Sequence, residues 1–475
     1  MKEKLKITLI TVLFLSTLKL FGQTFEVDTL LFGGPINNRI NIVLLGDGYT
    51  SLQQNKFLTD ANALVSALLT TQPYKEYKNY INVMAVKVVS NQSGATHAGI
   101  SSDNSCGSQP IEVVDNYFGS TFDGSIAGGS YHRLLVPNKN SAILNVLATN
   151  TPYYDQVLIL VNTPYYGGSG GTFATSSTHS SALEICIHEV GHSFAKLGDE
   201  YWAGSIYAYE KPNMTANSNT ATVKWKNWVG FKTVGAYQYP GGAGWYRPVN
   251  GKCKMEYLGI SYPFCPVCVE THILKYLDLM KPYDDYSPSN SSILSALADI
   301  NFSLTNVLPE PNTLKISWKL NGTTINASGS NYTLPINTLN KTGTNTLQAI
   351  ILDTTALLRS DIHATNHTFT ISWSLNYSLS TGFDVTSREE DLIYRIYPNP
   401  ATKESVIEFG KMENNSSIEL QLINELGIIV SFEKMKNEKK LLSIGRLIES
   451  KKSGVYNLII LRNGLILGEE KIVIE

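Results

Sequence analysis

Charge is what this chain is short of. Only 16% of its 475 residues are Asp, Glu, Lys or Arg, and the two signs nearly cancel to a formal net charge of −2. Neither a nucleic acid nor an anionic membrane is expected as a partner for so lightly charged a surface. Long apolar runs are missing beyond the N-terminus, so the mature form is expected to have no membrane span. Cysteine is scarce and odd in number, at five. None follows the N-terminal apolar run, which argues against a lipoprotein. Cys265 and Cys268 are spaced like half a zinc ribbon, but there is no second CxxC pair, which argues against a structural zinc site. The expectation is instead an exported protein with a disulfide from Cys253 to Cys265 or Cys268. Cys186 is then a free thiol on the buried side of a helix.

What is present begins with a leader. Lys2, Lys4 and Lys6 give residues 1–22 a charged start. An apolar run from Ile7 to Leu20 follows, then Gly22 before a plausible cut at Gln23. This reads as a signal peptide and places the protein outside the cytoplasm. The remaining length calls for several domains.

The stretch SALEICIHEVGHSFAKLGDEYW, residues 181–202, carries the chemistry. Positions i and i+4 of a helix share a face, so His188 and His192 can aim two imidazoles at one point. Imidazole is a good zinc ligand, and Glu189 can reach a water at the metal without ligating it. This is the HExxH arrangement of metalloproteases. Ser181 and Glu184 suggest a capping box at the start, and Gly198 suggests a left-handed stop at the end. Zinc needs a third protein ligand and one open position. Asp199, just past the turn, is the choice, with Glu200 as the alternative.

Around this helix the pattern is mixed α/β. NRINIVLLG (38–46) reads as a buried strand, with Asp47 capping the turn after it. A helix follows on Phe57, Ala61, Leu64, Val65 and Leu68, and then a strand over 81–89, which together suggest a βαβ unit. Residues 90–130 are loop-like and hold Cys106. YDQVLILVN (154–162) is a third strand, and the glycine-rich stretch after it runs into the active helix. His179 reads as an ordinary loop residue. Trp202, Trp225, Trp228 and Trp245 suggest a small core or the walls of a cleft, and 264–280 reads as a last helix starting near Pro266. Beyond residue 285 the strands are short and alternating, as in TLKISWKLNG, which predicts a β-sandwich. His363 and His367 sit there in strand-like sequence, too far apart to act as a ligand pair. The tail from 391 is a further small β unit, with Ile418, Leu420 and Leu422 alternating and Asn463–Gly464 marking a hairpin.

The helix, its glycine and the acid that follows resemble the metzincin proteases, although the acid falls one residue late and Ala195 stands where many metzincins carry glycine. NIVLLGDGYT, HEVGH with DEY, and CKM…FCPVC resemble the IgA-peptidase family of bacterial metallopeptidases. IYPNPA (396–401), Gly454–Tyr456 and the final KIVIE resemble the C-terminal sorting domain of type IX secretion. These resemblances imply a metzincin-like α+β catalytic domain with a mixed twisted sheet (23–285). An immunoglobulin-like β-sandwich (286–385) and a sorting domain (391–475) would follow. They further imply Met255 as a Met-turn under the metal, Tyr257 as a hydrogen-bond donor to the oxyanion, and residues 165–176 as an edge strand for substrate backbone. The function implied is a secreted or cell-surface Zn2+ endopeptidase acting on proteins or peptides. His188, His192 and Asp199 would hold the metal and Glu189 would be the general base, while the type IX machinery would be a partner through the tail. Two other classes stay open at this point: a catalytically silent binder of glycans or host proteins, and a zinc amidase acting on cell-wall peptides.

Overall fold

The computed structural model describes residues 23–102, 108–126, 129–377, 394–409, 417–424, 428–436, 441–462 and 465–474. The expected signal peptide, Cys106 and the Asn463–Gly464 turn lie outside the described residues. Residues up to 378 form one compact unit and residues from 379 another.

The first unit is built on β1 (Val27–Leu31), β2 (Ile40–Asp47), α1 (Gln54–Thr70), β3 (Ile81–Val86), α2 (Asn140–Asn150) and β4 (Gln156–Val161). β5 (Gly168–Ser169), β6 (Ala174–Ser176), α3 (Ala182–Ser193) and α4 (Pro266–Leu279) complete it. The strands form one sheet in the order β1-β3-β2-β4-β6-β5. The four inner strands are parallel, and the edge strands β1 and β5 are antiparallel to their neighbours. Every residue of β2 and β4 is buried, as expected of parallel strands covered on both faces. Side chains alternate between the faces. Ile42, Leu44, Val83 and Leu158 join the core that contains Phe57 and Leu64 of α1, Ile187 of α3 and Ile273 of α4. Val43, Leu45, Val86 and Ile159 pack on the other side with Phe118, Phe122 and the α2 residues Ile143 and Leu147. α1 buries Phe57, Ala61, Leu64, Val65 and Leu68, the face its spacing predicts. At the end of β2, buried Asp47 accepts from the N–H groups of Phe118 (3.0 Å) and Ser120 (3.2 Å) and from the Ser90 hydroxyl (3.2 Å). One carboxylate thus closes the long loop onto the sheet, which is the capping role expected of it.

Residues 283–377 make two further sheets. One has the strands Tyr283–Ser287, Ile300–Asn306 and Asn331–Leu334. The other runs Leu294–Ala296, Phe369–Tyr377, Thr344–Asp353, Leu314–Leu320, Thr323–Ser328. Both contribute to one core in which the Trp318 and Trp373 rings stack at 5.9 Å and Phe302 meets Trp373 at 4.9 Å. The strand expected through His363 is instead a short helix, His363–Asn366. One helical turn brings the imidazoles together, Nδ1 to Nδ1 at 3.3 Å. Their outer nitrogens are used locally: Nε2 of His363 donates to the Asp353 carbonyl (2.7 Å), and Nε2 of His367 faces Asp278 Oδ1 (3.0 Å).

The second unit has a three-stranded and a four-stranded sheet over 394–474. Ile418, Leu420 and Leu422 all point into its core, alternating as the sequence predicts.

Candidate metal centre

α3 is an amphipathic helix whose buried side includes Ile185, Cys186, Ile187 and Val190. Two details differ from expectation. Ser181 makes no capping bond, because the Glu184 carboxylate is drawn away to Lys254 Nζ and the Gly259 N–H. The helix also stops at Ser193, and the left-handed residue is Lys196 (φ 56°), not Gly198. A Cβ on Gly198 would lie 2.9 Å from Lys211 Cδ, a contact the lysine side chain can relieve by moving. Asn213 clasps the Gly198 peptide, accepting from the N–H at 2.7 Å and donating to the carbonyl at 2.8 Å.

The turn carries Asp199 back to the imidazoles. His188 Nε2 and His192 Nε2 are 3.1 Å apart, and Asp199 Oδ1 is 3.1 Å from the first and 3.2 Å from the second. Each ring has its Nδ1 against a carbonyl, Lys254 for His188 and Leu197 for His192, both at 2.8 Å. A carbonyl can only accept, so Nδ1 of each ring carries the hydrogen and both Nε2 atoms present lone pairs. Two lone pairs and a carboxylate oxygen facing one another are suited to share a proton or a metal cation. Burial works against a charge on His192, but the Asp199 carboxylate outweighs it and pushes this imidazole up to about 9. Burial likewise opposes Asp199, yet His192 and His188 hold its carboxyl well below the usual range. The donor set, nitrogen, nitrogen and oxygen with fixed tautomers, fits a divalent metal such as zinc.

Asp199 is held through its backbone. The Tyr239 hydroxyl donates to the Asp199 carbonyl (2.8 Å), the Glu200 N–H donates to the Met255 carbonyl (2.7 Å), and the buried Arg247 guanidinium donates to the Glu200 carbonyl. Arg247 is itself paired with Glu256 at 2.6 Å. The Glu200 side chain points elsewhere, fully buried against Asn213, Cys265 and Cys268. Met255 is also fully buried, and a Cβ on Gly191 would lie 2.7 Å from its sulfur. Its thioether therefore lies against α3 between the two histidines.

The metal-ligand atoms open into a cleft of about 1140 Å³ that Glu189, Arg133, Gly170, Gly171, Tyr201 and Trp202 help to line. Burial raises the Glu189 carboxyl, and the histidines pull it partly back. Gly170 passes directly over it: a Cβ there would meet Glu189 Oε2 at 2.5 Å. Arg133 and Tyr201 both line the cleft with Asp199. Neither was singled out from sequence. Tyr201 does follow Asp199–Glu200 directly, whereas Arg133 is a lone cation in a loop with no pattern to mark it. Tyr257 is 49% exposed and packs on Tyr262 at 5.2 Å. Its neighbours Glu256 and Leu258 line the cleft, but Tyr257 does not. His179 caps the Ser181 N–H (3.1 Å) and meets Tyr166, an ordinary loop role. Trp225 and Trp228 are core residues, and Trp202 is a wall of the cleft.

The expected disulfide is not formed. Cys186, Cys253, Cys265 and Cys268 are all free and buried. The sulfurs of Cys253 and Cys268 are 3.8 Å apart, and those of Cys265 and Cys268 are 3.5 Å apart. A disulfide would need about 2.05 Å.

Donors set this way in an open cleft could hold a metal ion, and the comparison with known proteins points to a metallopeptidase family. Residues 29–241 match the sequence profile of the family described as IgA Peptidase M64, which is metal-dependent. Residues 395–475 match the secretion system C-terminal sorting domain. A region similar to the M64 peptidases is thus followed by a region that matches a β sorting domain. That tail marks it for type IX export across the outer membrane, to the cell surface or beyond. Among the described residues, no helix is long and apolar enough to cross a membrane. No curated protein matches. Solved structures resemble the chain weakly. Latent PorU from Porphyromonas gingivalis is 12% identical over 40% of this chain and 19% of its own, with a TM-score of 0.15. The fibronectin(III)-like modules of Clostridium thermocellum CbhA are 10% identical over 40% of this chain and 90% of theirs, at 0.16. Parabacteroides merdae β-glucuronidase is 7% identical over 46% and 28%, at 0.16.

Proposed function

We propose that this protein is a secreted zinc endopeptidase of metzincin-like design. His188, His192 and Asp199 are its metal ligands and Glu189 is its general base. The observation that carries the reading is the convergence of two lone-pair Nε2 atoms and one carboxylate oxygen within 3.1–3.2 Å, beside a free acid in the same cleft. Zinc bound there would supply a Lewis acid that polarises a scissile carbonyl and acidifies water. Glu189 takes a proton from the attacking water and returns it to the leaving amine. Arg133 and Tyr201 face the same space and can donate to the developing oxyanion. They take the role that the family resemblance would give to Tyr257, whose ring is turned outward. The substrate backbone lies along Gly168–Gly171, where the missing side chains let two strands approach over Glu189. Met255 is the floor of the site. The two-sheet region after residue 283 is an immunoglobulin-like accessory module without a chemical constellation of its own.

The test is hydrolysis of an unfolded protein substrate by the purified mature chain. Activity should vanish on chelation and return when zinc is restored. Activity that survives complete metal removal contradicts the proposal.

A further inference from the structure

A second cluster lies behind the first. Glu200, Cys253, Cys265 and Cys268 each offer one ligand atom, all within 4.8 Å of one another. We propose that this cluster is a second, structural zinc site with three thiolates and one carboxylate as ligands.

The distances suit that ion. A tetrahedron with Zn–S of about 2.3 Å and Zn–O of about 2.0 Å has S···S edges near roughly 3.8 Å and S···O edges near roughly 3.5 Å. The two Sγ···Sγ distances here are 3.8 and 3.5 Å, and Glu200 Oε1 lies 3.3 Å from Cys268 Sγ and 3.7 Å from Cys265 Sγ. The sulfurs are too close for unrelated side chains and too far for a disulfide. All four residues are 3% exposed or less. The second Glu200 oxygen, Oε2, is buried with no hydrogen-bond partner. A buried carboxylate half without a partner is costly unless something else satisfies it. The surroundings favour negative sulfur. The N–H groups of Met255 and Cys265 both point at Cys253 Sγ, at 3.4 Å. Cys265 and Cys268 stand at the N-terminus of the 14-residue α4, where the helix dipole favours anions. Three thiols this close in an exported protein would be oxidised on export unless held in reserve, and bound metal does that.

With four protein ligands the site is closed, hence structural rather than catalytic. Its ligands tie together the residue after Asp199, the segment leading to Met255 and the start of α4. It would fix the third ligand and the floor of the catalytic centre at once. The single CxxC gave no warning, because its partners are an isolated cysteine and an acid from another part of the chain.

The mature full chain, produced with zinc, should carry two zinc ions. The double variant His188→Ala/His192→Ala should keep one, and X-ray absorption at its zinc edge should show about three sulfur neighbours near 2.3 Å. A chain without zinc in that variant, or zinc with only nitrogen and oxygen neighbours, would overturn the proposal. So would a disulfide among Cys253, Cys265 and Cys268 in the unreduced protein's mass spectrum. If the double variant does not fold, the unmodified chain decides: about two zinc ions with a sulfur signal support the site, and one ion without sulfur refutes it. Neither result depends on whether peptides are cut.

Discussion

His188, Glu189 and His192 were legible because helical periodicity is a local property: an i, i+4 pair needs only its own helix to share a face. Asp199 was legible by adjacency, and its choice over Glu200 rests on where the two carboxylates point. Tyr257 lies outside the cleft lining, a placement no sequence period could reveal because side-chain direction in a loop follows none. Arg133 comes to the site by the path of a loop and so left no trace in the sequence. These placements separate the tyrosines by experiment. Tyr201→Phe and Arg133→Gln should each lower kcat by on the order of 10²-fold, the usual cost of one oxyanion donor. Tyr257→Phe should stay within about twofold of the parent. Steady-state kinetics on one peptide compares all three. Gly170→Val should remove activity without unfolding the chain, since the added carbons fall on Glu189; circular dichroism beside an activity assay checks it.

At the scale of elements, the β2–α1–β3 unit was readable from fully apolar strands and a 3.6-residue stripe. The ends of α3 were not, because Glu184 found a better partner in Lys254 than in its own helix start. The expected disulfide is likewise absent, its three cysteines meeting as free thiols beside the Glu200 carboxylate. Distant elements are also joined by charge. Arg39, at the start of β2, grips Asp284 with two bonds of 2.6 and 2.7 Å. Hydrogen bonding from Arg39 holds the Asp284 carboxyl below its ordinary value of 3.8. A carboxyl lowered by folding adds stability above its unfolded pKa and loses it as pH falls through the folded one. Asp284→Asn should therefore melt lower than the parent at pH 7, and the gap should close below about pH 3.8. Asp47→Ala should cost about 2–4 kcal/mol in denaturant unfolding, since it leaves the buried Phe118 N–H and Ser90 hydroxyl without their acceptor.

For the whole molecule, the order of peptidase and sorting regions is what the motif resemblances implied, and the family matches at 29–241 and 395–475 agree with it. The compact division at 378/379 leaves the candidate site entirely in the first unit. Removing 379–475 should therefore leave peptidase activity in the purified protein but abolish its appearance outside the cell, which fractionation and immunoblotting measure. The central claim is that Glu189 performs proton transfer at a metal held by His188, His192 and Asp199. The most direct measurement is cleavage of a diverse peptide library by the mature protein beside its Glu189→Ala variant, with metal content determined for both. The account predicts internal cuts by the parent alone and equal zinc in the two proteins. Equal cutting by both, or no cuts by a zinc-loaded parent, would contradict it.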